Sequence, residues 1–370
     1  MEFWSRQFFR AAAFLLLLTF GAGIANLTGA LILDNPAAAQ VKGKPPGESL
    51  GSTSDSDLWR TLRKGFRGDV AYPDKQTGVA IQSEGENWRA VRNGPLSVYG
   101  GWFLLAVIVI LAVFFAIRGR IRIEAGPSGR TVERFDGVER FAHWLTACSF
   151  IVLGITGLNI LYGRYVLKPL IGPEAFSAVT LAGKYAHNFI AFAFMIGLVM
   201  IVVLWIRENI PNKHDLIWMA KGGGMFTKGV HPPARKFNAG QKIIFWLVVL
   251  AGTSISITGV MLMFPFTIEA FGPTFAVLNV FGFDLPTDLA PLQEMQLTQL
   301  WHALLSLVLI GLIIAHIYIG TLGMVGAFDA MGSGQVDENW AREHHDLWVA
   351  ELGLGPRPGA HEAQQRPGDE

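Results

Sequence analysis

TQLWHALLSLVLIGLIIAHIYIG, residues 298–320, is an apolar run long enough to cross a bilayer as one helix. It carries two histidines, His302 and His316. On a helix they stand within roughly 40° of one another around the axis and roughly 21 Å apart along it. One therefore falls near each side of the hydrocarbon layer. An ionisable side chain inside a membrane is costly and marks a function. Two on one stripe, at opposite depths, point to two stacked sites for something that imidazole can ligate.

The rest of the chain has the same membrane character. Hydrophobic residues make up 51% of it, and they come in runs rather than at amphipathic spacing. The net charge of +1 singles out no charged partner and gives no sign of nucleic-acid binding. The single cysteine, Cys148, excludes an intrachain disulfide, a CxxCH covalent-haem site and four-cysteine iron–sulfur or zinc frameworks. Inside an apolar run it reads as a small buried hydrophobe.

Residues 1–40 read as an export signal or an N-terminal anchor: Arg6 and Arg10 precede an apolar stretch, and Pro36-Ala37-Ala38-Ala39 offers a small-residue cleavage site. Residues 41–98 form a polar periplasmic segment. Its Trp/Arg stretches, 59–68 and 88–95, suit either the membrane surface or a docked partner. Five spanning runs follow, at roughly 99–117, 141–162, 185–206, 243–264 and 298–325. Loop 118–140 holds six arginines, and loop 207–242 holds seven lysines and arginines. Loop 265–297 has neither lysine nor arginine but has Glu269, Asp284, Asp288 and Glu294. The excess of basic residues puts 118–140 and 207–242 in the cytoplasm of a bacterial inner-membrane protein. The tail, 326–370, is then cytoplasmic too, and its last residues, from Gly353, read as disordered.

Direction and depth sort the intramembrane histidines into two pairs. His187 and His302 share the outer side, and His143 and His316 the inner side. Bis-histidine ligation from facing helices is one way to hold haem b in a bundle. Taken singly, each histidine reads equally as a satisfied polar group or a proton-pathway residue. No carboxylate or cysteine stands nearby to complete a zinc or non-haem iron site. The other histidines, His214, His231, His344, His345 and His361, read as solvated. The first spanning run, 99–117, lacks intramembrane polar groups and reads as scaffold or a partner-facing helix. At the inner boundary of the fourth, Asn238, Gly240 and Gln241 form an amide-bearing turn. Asn238 serves there as a helix N-cap or as a donor to the carbonyl of a membrane-dissolved ligand.

RFAHWLTA (140–147), KYAHNFIA (184–191), RENIPNKHD (207–215), FNAGQKIIFW (237–246), LWHALLS and IIAHIYIG together resemble the membrane cytochrome b, or gamma, subunit of respiratory formate dehydrogenases, over about 135–350. IPNKHD and NAGQK are the specific parts. The exported segment and first spanning run resemble a longer bacterial form. The resemblance implies an all-α integral membrane fold: a four-helix di-haem b cytochrome bundle over 141–325, plus one extra N-terminal transmembrane helix at 99–117. It implies two haem b, of the cytochrome b556 kind. His187 and His302 would ligate the outer haem, and His143 and His316 the inner one. Asn238, Gly240 and Gln241 would lie by a quinone (menaquinone or ubiquinone) next to the His316 site. The implied partners are an iron–sulfur beta subunit and a molybdenum or tungsten alpha subunit, which would carry out formate oxidation outside. This chain would pass electrons to quinone in anaerobic respiration. Two other readings stand beside it. One is a cytochrome b of a nickel–iron hydrogenase or another molybdoenzyme. The other, from a different class, is a haem-free anchor or proton-relay transporter, against which the lack of an inverted repeat counts.

Overall fold

The computed structural model describes residues 83–227 and 229–354. The signal or anchor expected at 1–40, most of segment 41–98 and the tail end from 355 lie outside the described residues. The principal elements are α1 (Ser97–Arg118), β1 (Thr131–Glu133), α2 (Gly137–Val166), α3 (Pro173–Trp205), α4 (Lys213–Ala220), α5 (Ala239–Met263), α6 (Phe271–Asn279), α7 (Pro291–Tyr318), β2 (Gln335–Asp337), α8 (Glu338–His344) and α9 (Asp346–Glu351). Five helical stretches, Asn87–Arg118, Gly137–Val166, Pro173–Trp205, Ala239–Met263 and Pro291–Gly323, are long and apolar enough to cross a membrane. Among the described residues the fold is all-α apart from the β1–β2 pair and one isolated bridge between Ile121 and Met324, and the protein is a multi-pass membrane protein.

The spans coincide with the five apolar runs but are longer. The starts read at 185 and 298 fall inside helices that begin at Pro173 and Pro291. Proline suits a first helical turn, because its missing N–H would be unpaired there anyway. These opening turns are too polar to register as apolar runs. Capping boxes start α2, at the end of the first basic loop, and α4, inside the second. Asp136 accepts from the N–H groups of Val138 and Glu139 at 2.8 Å, and Glu139 accepts from the Asp136 N–H at 3.0 Å. Asn212 and Asp215 do the same for α4.

The described chain divides into two compact units, one of residues up to Gly101 and Thr253–Leu307, the other of Trp102–Gly252 and Val308 onward. In the first, Met261, Ile268 and Met295 form a buried cluster. Glu294, only 2% exposed, turns its carboxylate onto the N–H groups of Phe271 and Gly272 at 2.9 and 2.7 Å. Those donors open α6, where unpaired N–H groups and the positive end of the helix dipole favour an anion. A residue that reads as loop acid in the sequence is thus a buried anchor.

In the second unit α2 packs on α3 at small residues. A Cβ on Gly197 would come 3.0 Å from the Thr146 backbone nitrogen, so the helices approach closely only because glycine stands there. α1 has no buried residue and touches α7 where Gly311 makes room for Phe103, in keeping with a scaffold or partner-facing helix. Cys148 is exposed, which corrects the expectation of a buried hydrophobe: it lies on a face of α2 that the described residues leave uncovered.

The basic end of this unit is built, not loose. β1 pairs antiparallel with β2 in the register Thr131↔Asp337, Val132↔Val336 and Glu133↔Gln335. Arg134, 4% exposed, donates to the Lys236 carbonyl at 2.7 Å. Its guanidinium lies 5.2, 5.0 and 5.9 Å from the ring centres of Phe135, Trp340 and Trp348, a cation–π setting. Burial draws that guanidinium down to about 9, against the pull of Glu139, so it is still charged at neutral pH. Glu139 accepts from Trp205 Nε1 at 2.8 Å and from Lys236 Nζ at 2.6 Å.

Two histidines of the tail depart from their reading as solvated. His345 is 1% exposed and donates from Nδ1 to the Arg235 carbonyl at 2.6 Å. His344 is half-buried, its ring 6.2 Å from that of His231 and 5.2 Å from that of Trp340. The partners lie far back in the chain, so local sequence carried no sign of the burial.

Burial pushes the His344 imidazole down to about 4 and His345 well below its usual range. An unfolded tail would take up protons near pH 6.5. Above that pH neither state binds them and stability is flat. Below it the unfolded state binds more, and stability falls by about 1.4 kcal/mol per pH unit for each histidine. Lowering the pH from 7 to 5 should therefore speed protease cleavage within α8 and α9 in solubilised protein. Cleavage that is equally slow at both pH values would show that the two imidazoles do not couple tail packing to protons.

Candidate functional site

His143 lies in the second turn of α2 and His316 in the last turn of α7. The structure brings these two together: their ring centres are 6.2 Å apart, with the planes at 57°. An imidazole nitrogen binds a transition metal at about 2.0–2.1 Å, and about 1.2 Å more on each side to the ring centre gives a span of about 6.4 Å. The observed spacing of the ring centres is compatible with one ion held between them. Among the described residues no three of His, Cys, Asp or Glu converge as a metal site. Two axial imidazoles and no further donors suit an iron whose remaining ligands come from a porphyrin. The Nδ1 atom of His143 is buried and has no hydrogen-bond partner among the described residues.

His187, on α3, and His302, on α7, belong to different units, and each has its own threonine. Nδ1 of His187 lies 2.8 Å from Thr156 Oγ1, and Thr156 donates its own proton to the Val152 carbonyl at 2.8 Å. The hydroxyl can then only accept from the ring, so Nδ1 carries the hydrogen and Nε2 keeps its lone pair. His302 repeats this. Its Nδ1 lies 2.9 Å from Thr258 Oγ1, and Thr258 donates to the Ser254 carbonyl at 3.0 Å. The next residue is glycine in both cases. A Cβ at Gly157 would be 3.6 Å from His187 Cε1, and one at Gly259 would be 3.5 Å from His302 Cε1. These threonines were not singled out from the sequence, although the repeated tripeptide Ile-Thr-Gly, at 155–157 and 257–259, was there to be read.

Asn238, Gly240 and Gln241 share one turn. Asn238 Oδ1 accepts from the Gln241 N–H at 3.0 Å, and Gln241 Oε1 accepts from the Asn238 N–H at 3.1 Å. This is a capping box for α5. Arg134 also reaches Gln241 Oε1, at 3.3 Å. Gly240 is required by packing, since a Cβ there would meet Trp218 at 2.9 Å. Just beyond, Lys242, 4% exposed, places Nζ 2.9 Å from Asp215 Oδ2 and 3.1 Å from the Ile210 carbonyl. IPNKHD and NAGQK therefore hold one another: the first supplies the carboxylate and carbonyl, the second the ammonium.

Comparison with known proteins places the chain in a family. A family model described as prokaryotic cytochrome b561 matches residues 134–334. The stretch runs from the buried arginine to β2 and takes in all four intramembrane histidines. The nitrate-inducible formate dehydrogenase cytochrome b556(Fdn) subunit of Escherichia coli strain K12 is 24% identical over 227 residues, covering 60% of this chain and 92% of the relative. The formate dehydrogenase cytochrome b556(fdo) subunit of the same strain is 25% identical, covering 60% of this chain and 93% of the relative. The formate dehydrogenase cytochrome b556 subunit of Haemophilus influenzae is 25% identical, covering 57% and 79%. With the family model spanning more than half of its length and every spanning helix after α1, the chain belongs to the prokaryotic cytochrome b561 family.

Proposed function

We propose that this chain is the cytochrome b subunit of a formate dehydrogenase, passing electrons from a partner on the periplasmic side to quinone near the cytoplasm. The 6.2 Å approach of the His143 and His316 rings carries this reading, and the names of the relatives supply the electron donor. His143 and His316 would hold one haem b. His187 and His302 would hold a second, on the other side, a pairing supported by their sequence depth and by their matching threonines. A b-type haem between two imidazoles exchanges one electron without changing ligands. The partners would be an iron–sulfur subunit and a molybdenum or tungsten subunit, the latter oxidising formate. The basic end, with the packed tail, would face the cytoplasm.

The chain's own residues do the following. The threonines orient His187 and His302. α2 and α7 present His143 and His316 to one point. Asn238 Nδ2 would donate to a quinone carbonyl, and the protons completing the quinol would come from the basic side. Moving an electron inward against the potential costs about 2.3 kcal/mol per 100 mV, which the drop in redox potential from formate to quinone offsets.

The test is formate reduction of the purified complex. Formate should bring up reduced b-type absorption from two haems per chain, and added quinone should bleach it. Asn238→Ala should leave the first intact and slow the second severalfold. Absent b-type absorption, or absorption that formate does not reduce, would overturn the proposal. Bleaching at the wild-type rate in Asn238→Ala would leave Asn238 as a helix cap alone.

A further inference from the structure

We propose that Thr156 and Thr258 are positioning residues that hold His187 and His302 as Nε2 ligands and lower the reduction potential of the haem assigned to these histidines. The inference rests on the haem assignment above. It begins with a difference between the two sets of histidines. His187 and His302 each meet a threonine hydroxyl at Nδ1, at 2.8 and 2.9 Å. The Nδ1 atom of His143 is buried and meets no acceptor among the described residues.

The chemistry turns on where the threonine proton goes. Thr156 Oγ1 lies 2.8 Å from the Val152 carbonyl and 3.1 Å from that of Leu153. Thr258 Oγ1 lies 3.0 and 3.1 Å from those of Ser254 and Ile255. Each hydroxyl proton is thus taken up by its own helix, one turn back. The oxygen can only accept from the ring, and donating its own proton makes it a better acceptor. An imidazole that gives its N–H to an oxygen is a more basic ligand, and a more basic ligand favours ferric over ferrous iron. Hydrogen bonding around the ligand is one of the levers by which a protein sets haem potential.

The same arrangement occurs twice, at Ile-Thr-Gly 155–157 and Ile-Thr-Gly 257–259. Both glycines leave the ring edge clear, at 3.6 and 3.5 Å from the Cβ position. Two hydroxyls acting on the outer haem, with none on His143, would make the outer haem the lower in potential. Electrons arriving from outside would then run downhill toward the basic side, against the membrane potential.

Potentiometric titration of the intact complex tests this. Thr156→Val and Thr258→Val keep the side-chain shape and remove the hydroxyl. In the wild type two b-type components should titrate separately. In the double valine variant the lower one should rise, by up to about a tenfold change in its ferric-to-ferrous equilibrium, about 59 mV for one electron, while the upper one stays. Thr156→Ser and Thr258→Ser should restore the wild-type value. If the valine variants fail to retain the haem, Thr156→Cys, whose sulfur is a weaker acceptor, should give a smaller rise. An unmoved lower component with both haems bound, or movement of the upper one instead, would overturn the inference. Failure of the haem assignment would show differently, as fewer than two components in the wild type itself.

Discussion

His316→Ala should take the chain from two b-type haems to one, and His143→Ala should remove the same one. The expectation follows from the ring centres standing 6.2 Å apart: two imidazoles that would hold one iron act as a unit, and removing either would abolish that site. The double variant His143→Ala/His316→Ala should then lose no more haem than either single variant, which is the non-additivity expected of residues sharing one partner. His187→Ala and His302→Ala should together define the other component. The readouts are haem extraction per chain and the reduced-minus-oxidised spectrum. If His143→Ala and His316→Ala depleted different spectral components, the two imidazoles would not share an iron. If His302→Ala depleted the same component as His316→Ala, the depth assignment along α7 would fail.

How far the sequence reached can be judged residue by residue. The spans were legible because lipid demands long apolar runs, and the four histidines because charge-bearing groups are rare in them. Depth, read from loop charge, paired His143 with His316, and the structure places their ring centres 6.2 Å apart with the planes tilted at 57°. The NAGQ turn was legible as a cap, since Asn and Gln three residues apart satisfy one another wherever they start a helix. The packing of the tail before Gly353 was not legible. It comes from Arg134, Trp340 and Trp348 meeting across some 200 residues of chain. His345 looked solvated because its acceptor, the Arg235 carbonyl, is a backbone atom 110 residues away. Thr156 and Thr258 were hidden differently: a threonine bonding back to its own helix is ordinary. Only the position of a second helix's histidine against it makes the hydroxyl matter.

Asp215→Asn should destabilise the chain by about 3–5 kcal/mol, the cost of leaving a buried charge without its partner. Lys242 is 4% exposed, and its ammonium has Asp215 at 2.9 Å and one carbonyl, that of Ile210, at 3.1 Å. Asparagine keeps the shape of aspartate and an oxygen to accept from the Asn212 N–H, now at 2.6 Å, so the α4 cap survives and the charge alone is lost. Lys242→Met on its own removes the cation and leaves Asp215, whose side chain is 14% exposed, nearer to water, so it should cost less. The double variant Asp215→Asn/Lys242→Met should recover most of the loss, because a buried pair replaced by neutral groups of similar size is often no less stable than the pair. Thermal loss of b-type absorption in detergent would follow all three. A double variant less stable than Asp215→Asn would mean that the pair contributes more than it costs to bury. Asp215→Asn with wild-type stability would mean that water reaches Lys242. Because Lys242 sits one residue past Gln241, the single variant should also loosen the Asn238 turn and slow quinone reaction before any haem is lost. The double variant should restore both together, which a purely local effect of either residue would not do.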